Sequence, residues 1–113
     1  MDKKMIDKAM KELSIGAKEV YGDKLREVIL FGSCARGDFD EESDIDVMIL
    51  LDVDKFEATS EREKIHTVVH RLDRKYEYEL LFSIIVQSSS EFDYWMETLP
   101  FYRNVRKEGI RYA

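Results

Sequence analysis

The 113-residue sequence predicts an α/β or α+β fold, a small mixed β-sheet flanked by helices. Helical and strand periodicities alternate along the chain. Three apolar runs of strand length, LREVILF, DIDVMILLDV and ELLFSIIV, are rich in β-branched and aromatic residues. The length allows one modest core, so residues 1–113 are read as a single domain.

Each element has its own signal. Ile6, Ala9, Met10, Leu13, Ala17 and Val20 recur at helical spacing and Gly22 follows as a stop, which predicts a first helix over about residues 2 to 21. LREVILF, residues 25–31, closes on Gly32 and reads as a strand. Cys34 to Ser43 mixes Gly, Asp and Glu, as expected of a short helix and an exposed loop.

Residues 44–53 form the second predicted strand. Ile45, Val47, Ile49 and Leu51 fall on one face, and Asp44, Asp46, Met48 and Leu50 on the other. Residues 57–76 carry Ile65, Val68, Val69, Leu72 and Tyr76 on one stripe, the mark of an amphipathic helix. Residues 79–86 read as the third strand. SSSEFDYWMET then reads as a helix capped by Ser88, Ser89 or Ser90, and the tail as a short helix ending near Gly109.

Composition narrows the function classes. Apolar residues make up 44% and charged residues 37%, the balance of a folded chain rather than a disordered one. A net charge of −6 argues against bulk electrostatic binding of duplex nucleic acid but leaves room for a nucleotide whose charge is met by metal ions. The single cysteine cannot form an internal disulfide, and MDKKMIDKAM has no apolar signal-peptide core. No apolar run reaches membrane-spanning length. These features predict a cytoplasmic protein with no membrane partner.

The chemistry concentrates in FGSCARGDFDEESDID, residues 31–46. Side chains two apart on a strand point the same way, so Asp44 and Asp46 lean toward one volume. Carboxylates that close repel unless a cation neutralises them, and Mg²⁺ is typically held by one or two carboxylates plus phosphates. Gly32 lets a phosphate approach the backbone, and a helix opening at Ser33 offers free N–H groups and a partial positive charge. Arg36, one turn further, is within reach of a phosphate or an aspartate; an ion pair with Asp38, Asp40, Glu41 or Glu42 is the alternative. The loop is shorter than a Walker A loop and lacks its lysine, so it is not a P-loop. A two-metal site wants a third acid. Glu79, at the start of the predicted third strand and on one face with Leu81 and Ser83, is the candidate if that strand lies beside the second.

Gly32-Ser33 followed by Asp44-Ile45-Asp46, within GSCARGDFDEESDIDVMI, resembles the signature of the DNA polymerase β-like nucleotidyltransferase superfamily. The short length and the tail FYRNVRKEGI look like its minimal nucleotidyltransferase (MNT) branch. The resemblance implies the polymerase β-like fold and transfer of a nucleoside monophosphate from a nucleoside triphosphate, ATP above all, to a hydroxyl. It implies that Gly32 and Ser33 bind the β- and γ-phosphates, that Asp44 and Asp46 bind two Mg²⁺ ions, and that Glu79 takes the place of the third acid. Many MNT proteins are antitoxins that adenylylate a tyrosine of a HEPN-domain toxin, which implies such a partner. Two positions depart from the pattern: Cys34 stands where many relatives have Arg, and Glu79 is one methylene longer than the usual Asp. A binding module that neutralises its partner by occlusion, or a small-molecule nucleotidyltransferase, are the rival readings. A homo-oligomer stays open.

Other features read as ordinary. His66 and His70 have a spacing that suits zinc, but there is no HExxH and no cysteine partner, so they are read as a solvated face. Cys34 has no evident base and is read as a small packed residue. The aromatic residues from Phe92 to Tyr102 are assigned to the core, with some surface left for a partner. Arg103, Arg106, Lys107 and Arg111 make the tail the one basic region, read as a solvated helix face.

Overall fold

A computed structural model describes all 113 residues, Met1–Ala113. Ten elements follow in order: α1 (Lys3–Tyr21), β1 (Leu25–Phe31), α2 (Ser33–Arg36), β2 (Ile45–Leu51), α3 (Lys55–Glu61), α4 (His66–Lys75), β3 (Phe82–Ser88), α5 (Ser89–Met96), α6 (Pro100–Glu108) and β4 (Ile110–Arg111). The four strands form one mixed sheet in the order β3-β2-β1-β4. β1 is antiparallel to β2 and β4, whereas β2 and β3 run parallel. The predicted α+β architecture with a small mixed sheet is the one observed.

Both faces of the sheet are covered, and the alternation in β2 decides what goes where. Ile45, Val47, Ile49 and Leu51 pack with Val28 and Leu30 against Ile6, Met10 and Leu13 of α1 and Val68 and Leu72 of α4. Met48 and Leu50 face the other way and pack with Ile29 under Phe92 of α5 and Val105 of α6. α1 starts at Asp2, whose carboxylate accepts the Met5 N–H at 2.8 Å, and stops where the Gly22 N–H bonds back to the Lys18 carbonyl. The two helices of the larger face approach closely because Gly16 of α1 leaves room only for the Val68 side chain.

The structure moves several boundaries. The helix expected over 57–76 is two helices, α3 and α4, joined by a 3₁₀ turn at Arg62–Ile65. Asp54 caps α3, accepting the N–H groups of Phe56 and Glu57. The third strand starts at Phe82, not at residue 79. Glu77 and Tyr78 adopt positive φ angles of 53° and 61°, so the chain turns there and enters the sheet three residues later than expected. Ser88 is both the last residue of β3 and the cap of α5, its hydroxyl accepting the Glu91 N–H. β4 was not foreseen. Its two residues extend the edge of β1, with Ile110 opposite Leu30 and Arg111 opposite Ile29.

The basic tail is tied down rather than free. Arg106 makes two bonds to the Glu27 carboxylate, at 2.7 and 2.9 Å, and its guanidinium lies over the Phe92 ring. This pair fastens α6 to β1. Bonding to Arg106 holds the Glu27 carboxyl below its ordinary value of 4.5, against the opposing effect of burial. A lowered folded-state pKa stabilises above the unfolded value and loses that stabilisation as pH falls through the folded value. Glu27→Gln is therefore expected to cost about 1 kcal/mol at pH 7, a figure kept small because Arg106 is partly exposed. The gap between the two proteins should close as the pH drops below 4.5 in thermal melts.

Candidate active site

The site is built where β1 ends. Gly32 leaves the strand with φ 73° and ψ −156°, a corner of backbone space that is essentially restricted to glycine. Its carbonyl accepts the N–H groups of Ala35 and Arg36, both at 3.1 Å, and so closes the single turn of α2. Gly37, at φ 91°, ends that turn with its N–H on the Ser33 carbonyl at 2.8 Å. The N–H groups of Ser33 and Cys34 open the turn without an intrahelical acceptor.

The sheet brings Asp46 to this turn. Phe31 and Asp46 are direct partners in the antiparallel register, so the carboxylate emerges beside the residue that follows Phe31. A Cβ on Gly32 would collide with Asp46 Oδ2 and lie 3.3 Å from its Cγ. The glycine is thus required twice, for the backbone angle and for the space the carboxylate occupies. Asp44 follows the same parity one step outward and is exposed, whereas Asp46 is half-buried.

Neither carboxylate pairs with a Lys, Arg or His side chain. The nearest arginine, Arg36, pairs instead with Asp38 at 3.4 Å and with Glu108 of α6 at 3.6 Å. The local alternative predicted for Arg36 is therefore realised through Asp38, with a distant second partner. Burial, and then the charge of Asp44, push the Asp46 carboxyl above its ordinary 3.8, and Arg36 offsets only part of this. A half-buried carboxylate beside a second one, with no protein cation in contact, is a pair whose charge a divalent ion would neutralise.

Cys34 is buried, and its thiol points at the Asp44 carbonyl at 3.5 Å. Burial and the nearby Asp46 and Asp44 push its pKa up, so it is a neutral thiol rather than a nucleophile. Its place is structural: it ties α2 to the strand entry that carries both aspartates. The Asp40 carboxylate folds the preceding loop, accepting the Glu42 N–H at 2.8 Å and the Ser43 hydroxyl at 3.3 Å.

Glu79 does not join the pair. No third Asp, Glu, His or Cys completes a cluster with Asp44 and Asp46. In the parallel register Ile45 faces Phe82 and Asp46 faces Ser83, so the position beside Asp44 belongs to Leu81. The Leu81 carbonyl accepts the Ile45 N–H at 2.7 Å, which places this residue at the head of the pairing. Glu79 lies further out, exposed, on the segment that follows the Glu77–Tyr78 turn. An acid at the head of an apolar run was read as the first residue of the strand, and the turn that displaces it contains no Gly, Pro or Asn to announce it.

Beside the turn runs a cleft of about 460 Å³ lined by Phe31, Gly32, Arg36, Phe101, Asn104 and Glu108 among others. The Phe31 and Phe101 rings meet edge to face at 5.7 Å across it. Phe101 belongs to α6, and nothing local in the sequence links it to the turn. His66 and His70 stack on the exposed face of α4, with ring centroids 6.3 Å apart. No helix is long and apolar enough to cross a membrane.

Comparison with known proteins agrees with this geometry. A family model described as a nucleotidyltransferase domain matches residues 6–111. The Methanocaldococcus jannaschii protein named "Putative protein adenylyltransferase MJ0604" is 37% identical over 103 residues, covering 91% of this chain and 93% of its own. A second from the same organism, "Putative protein adenylyltransferase MJ0141", is 44% identical over 77 residues, covering 68% of this chain and 74% of its own. With the glycine turn, the Asp pair and the mixed sheet in place, the chain belongs to the nucleotidyltransferase domain family and is a minimal nucleotidyltransferase.

Proposed function

We propose that this chain transfers AMP from Mg·ATP to a tyrosine hydroxyl of a partner protein, a HEPN-domain toxin that the modification silences. The juxtaposition of Gly32 with Asp46 carries the reading, because it sets the N–H groups of the turn against a carboxylate pair that has no Lys or Arg partner. The names of the two archaeal relatives support a protein acceptor and an adenylyl group.

In this reading the N–H groups of Ser33 and Cys34 and the Ser33 hydroxyl bind the terminal phosphates. Asp44 and Asp46 hold Mg²⁺, which withdraws charge from the phosphates when bound. The aromatic wall of Phe31 and Phe101 gives the base and ribose an apolar surface. The acceptor oxygen bonds to the α-phosphorus, the bond to the bridging oxygen breaks, pyrophosphate leaves and the acceptor proton passes to water. Residue positions govern the rate through alignment, since in-line displacement asks mainly for positioning and charge stabilisation.

The test is to incubate the protein with ATP labelled at the α-phosphate, Mg²⁺ and a HEPN-domain protein from the same genome. Label should appear on that partner and vanish when its acceptor tyrosine is replaced by phenylalanine. Label on neither protein would overturn the reading. One observation favours a second reading, neutralisation by occlusion with the chemistry idle: Leu81, not an acid, stands beside Asp44. Under that reading Asp46→Asn would still form the complex and still neutralise the partner.

A further inference from the structure

We infer that the Asp44–Asp46 site seats one divalent cation together with its nucleotide, because neither Leu81 nor Ser83, the β3 residues that face the pair, supplies the carboxylate a second ion would need. The inference rests on the nucleotide-and-cation reading above and specifies its stoichiometry.

The register decides which side chains can reach the pair. On the β1 side Asp46 has Phe31, and on the β3 side it has Ser83. One step outward, Asp44 has Leu81. None of these neighbours is a carboxylate. An ion that shares the phosphates of the nucleotide needs one or two carboxylates, and the pair supplies them. A second ion, on the acceptor side of the α-phosphorus, meets little of the phosphate chain and depends on protein carboxylates. The β3 positions that face the pair are Leu81, with an isobutyl group, and Ser83, with a hydroxyl, and neither supplies one.

Leu81 also lacks a packing reason to be there. It is 58% exposed and belongs to neither core cluster. Phe82, its neighbour in sequence, packs against the larger core, so strand parity directs Leu81 to the face of Asp46. Glu79 shares that parity in sequence but precedes the sheet and is exposed.

The test counts ions rather than turnover. Mn²⁺ is titrated into protein saturated with the α,β-methylene analogue of ATP, and free Mn²⁺ is read by electron paramagnetic resonance. The wild-type chain should bind one ion per bound nucleotide, Glu79→Gln should also bind one, and Leu81→Asp should bind two. Leu81→Asn, neutral and of similar size, should stay at one and serves as the folding control. Two ions in the wild type would overturn the inference while leaving the nucleotide site intact, as would a count that falls with Glu79→Gln. A Leu81→Asp protein that still binds one ion would overturn the role given to Leu81. No nucleotide-dependent Mn²⁺ binding at all would instead remove the Asp-pair site itself.

Discussion

Replacing Asp46 with asparagine is expected to reduce AMP transfer by about a thousandfold and to leave the fold intact. The amide keeps the shape of the carboxylate, so it still fits the space left by the missing Cβ of Gly32. It removes the charge that would face a bound cation. A bound metal that withdraws charge from a phosphoryl group is worth several kcal/mol in the transition state, and about 4 kcal/mol corresponds to roughly a thousandfold in rate. Stability should move the other way. The Asp46 carboxyl is raised above 3.8 by burial and by Asp44, so its charged form is disfavoured in the folded protein. A raised carboxyl pKa penalises folding at neutral pH, and the penalty fades as pH falls through the raised value toward 3.8. Asp46→Asn should thus melt at or above the wild-type temperature at pH 7, and the difference should shrink in acid. Equal transfer by the two proteins would remove Asp46 from the site.

Gly32→Ala is expected to lose both activity and stability, and Gly37→Ala only stability. At φ 73° and ψ −156° an alanine at residue 32 pays backbone strain of about 1–3 kcal/mol. Its methyl group would also run into Asp46 Oδ2. The colliding atom is the end of a short side chain, so relief comes by swinging the carboxylate away from the turn. Transfer should fall toward the level of Asp46→Asn, because a displacement of about 1 Å at a reacting centre costs on the order of a hundredfold. Gly37 provides the control. It too has positive φ, at 91°, but a Cβ there meets nothing within 4 Å. Gly37→Ala should cost about 1–2 kcal/mol and keep most of the transfer activity. Parallel melts and label-transfer rates on the two variants separate strain from displacement. If the two lose activity equally, the contact between Gly32 and Asp46 does not matter to the chemistry.

Much of the site was legible because it depends on neighbours in the chain. The two-residue period of DIDVMILL fixes Asp44 and Asp46 on one face and Ile45 and Val47 on the other, whatever the sheet does next. The glycine that ends LREVILF before SCAR announced the turn. Legibility failed where a contact joins distant segments. Arg36 found Glu108 only because α6 folds back beside α2. Phe101 reaches Phe31 for the same reason. β4 has only two residues and exists through its pairing with β1, so no periodicity could mark it.

The third acid shows the difference most clearly. Glu79, Leu81 and Ser83 share one parity, and the sequence alone offers the first as the acid nearest the pair. Register selects among them: it puts Ser83 beside Asp46 and Leu81 beside Asp44, and leaves Glu79 outside, because Phe82 has to pack on the α1 face opposite Ile45.

Taken by itself, the sequence determined the alternation of helix and strand from α1 to α6, apart from the break between α3 and α4, the division of β2 into two faces, and the turn with its aspartate pair. These are consequences of backbone sterics and side-chain period within a few contiguous residues. Tertiary structure alone decided which strands are neighbours, at what register, and hence which side chains surround that pair. Those choices are made by burying apolar residues from distant segments on both faces of one sheet, and no short window of sequence contains both partners.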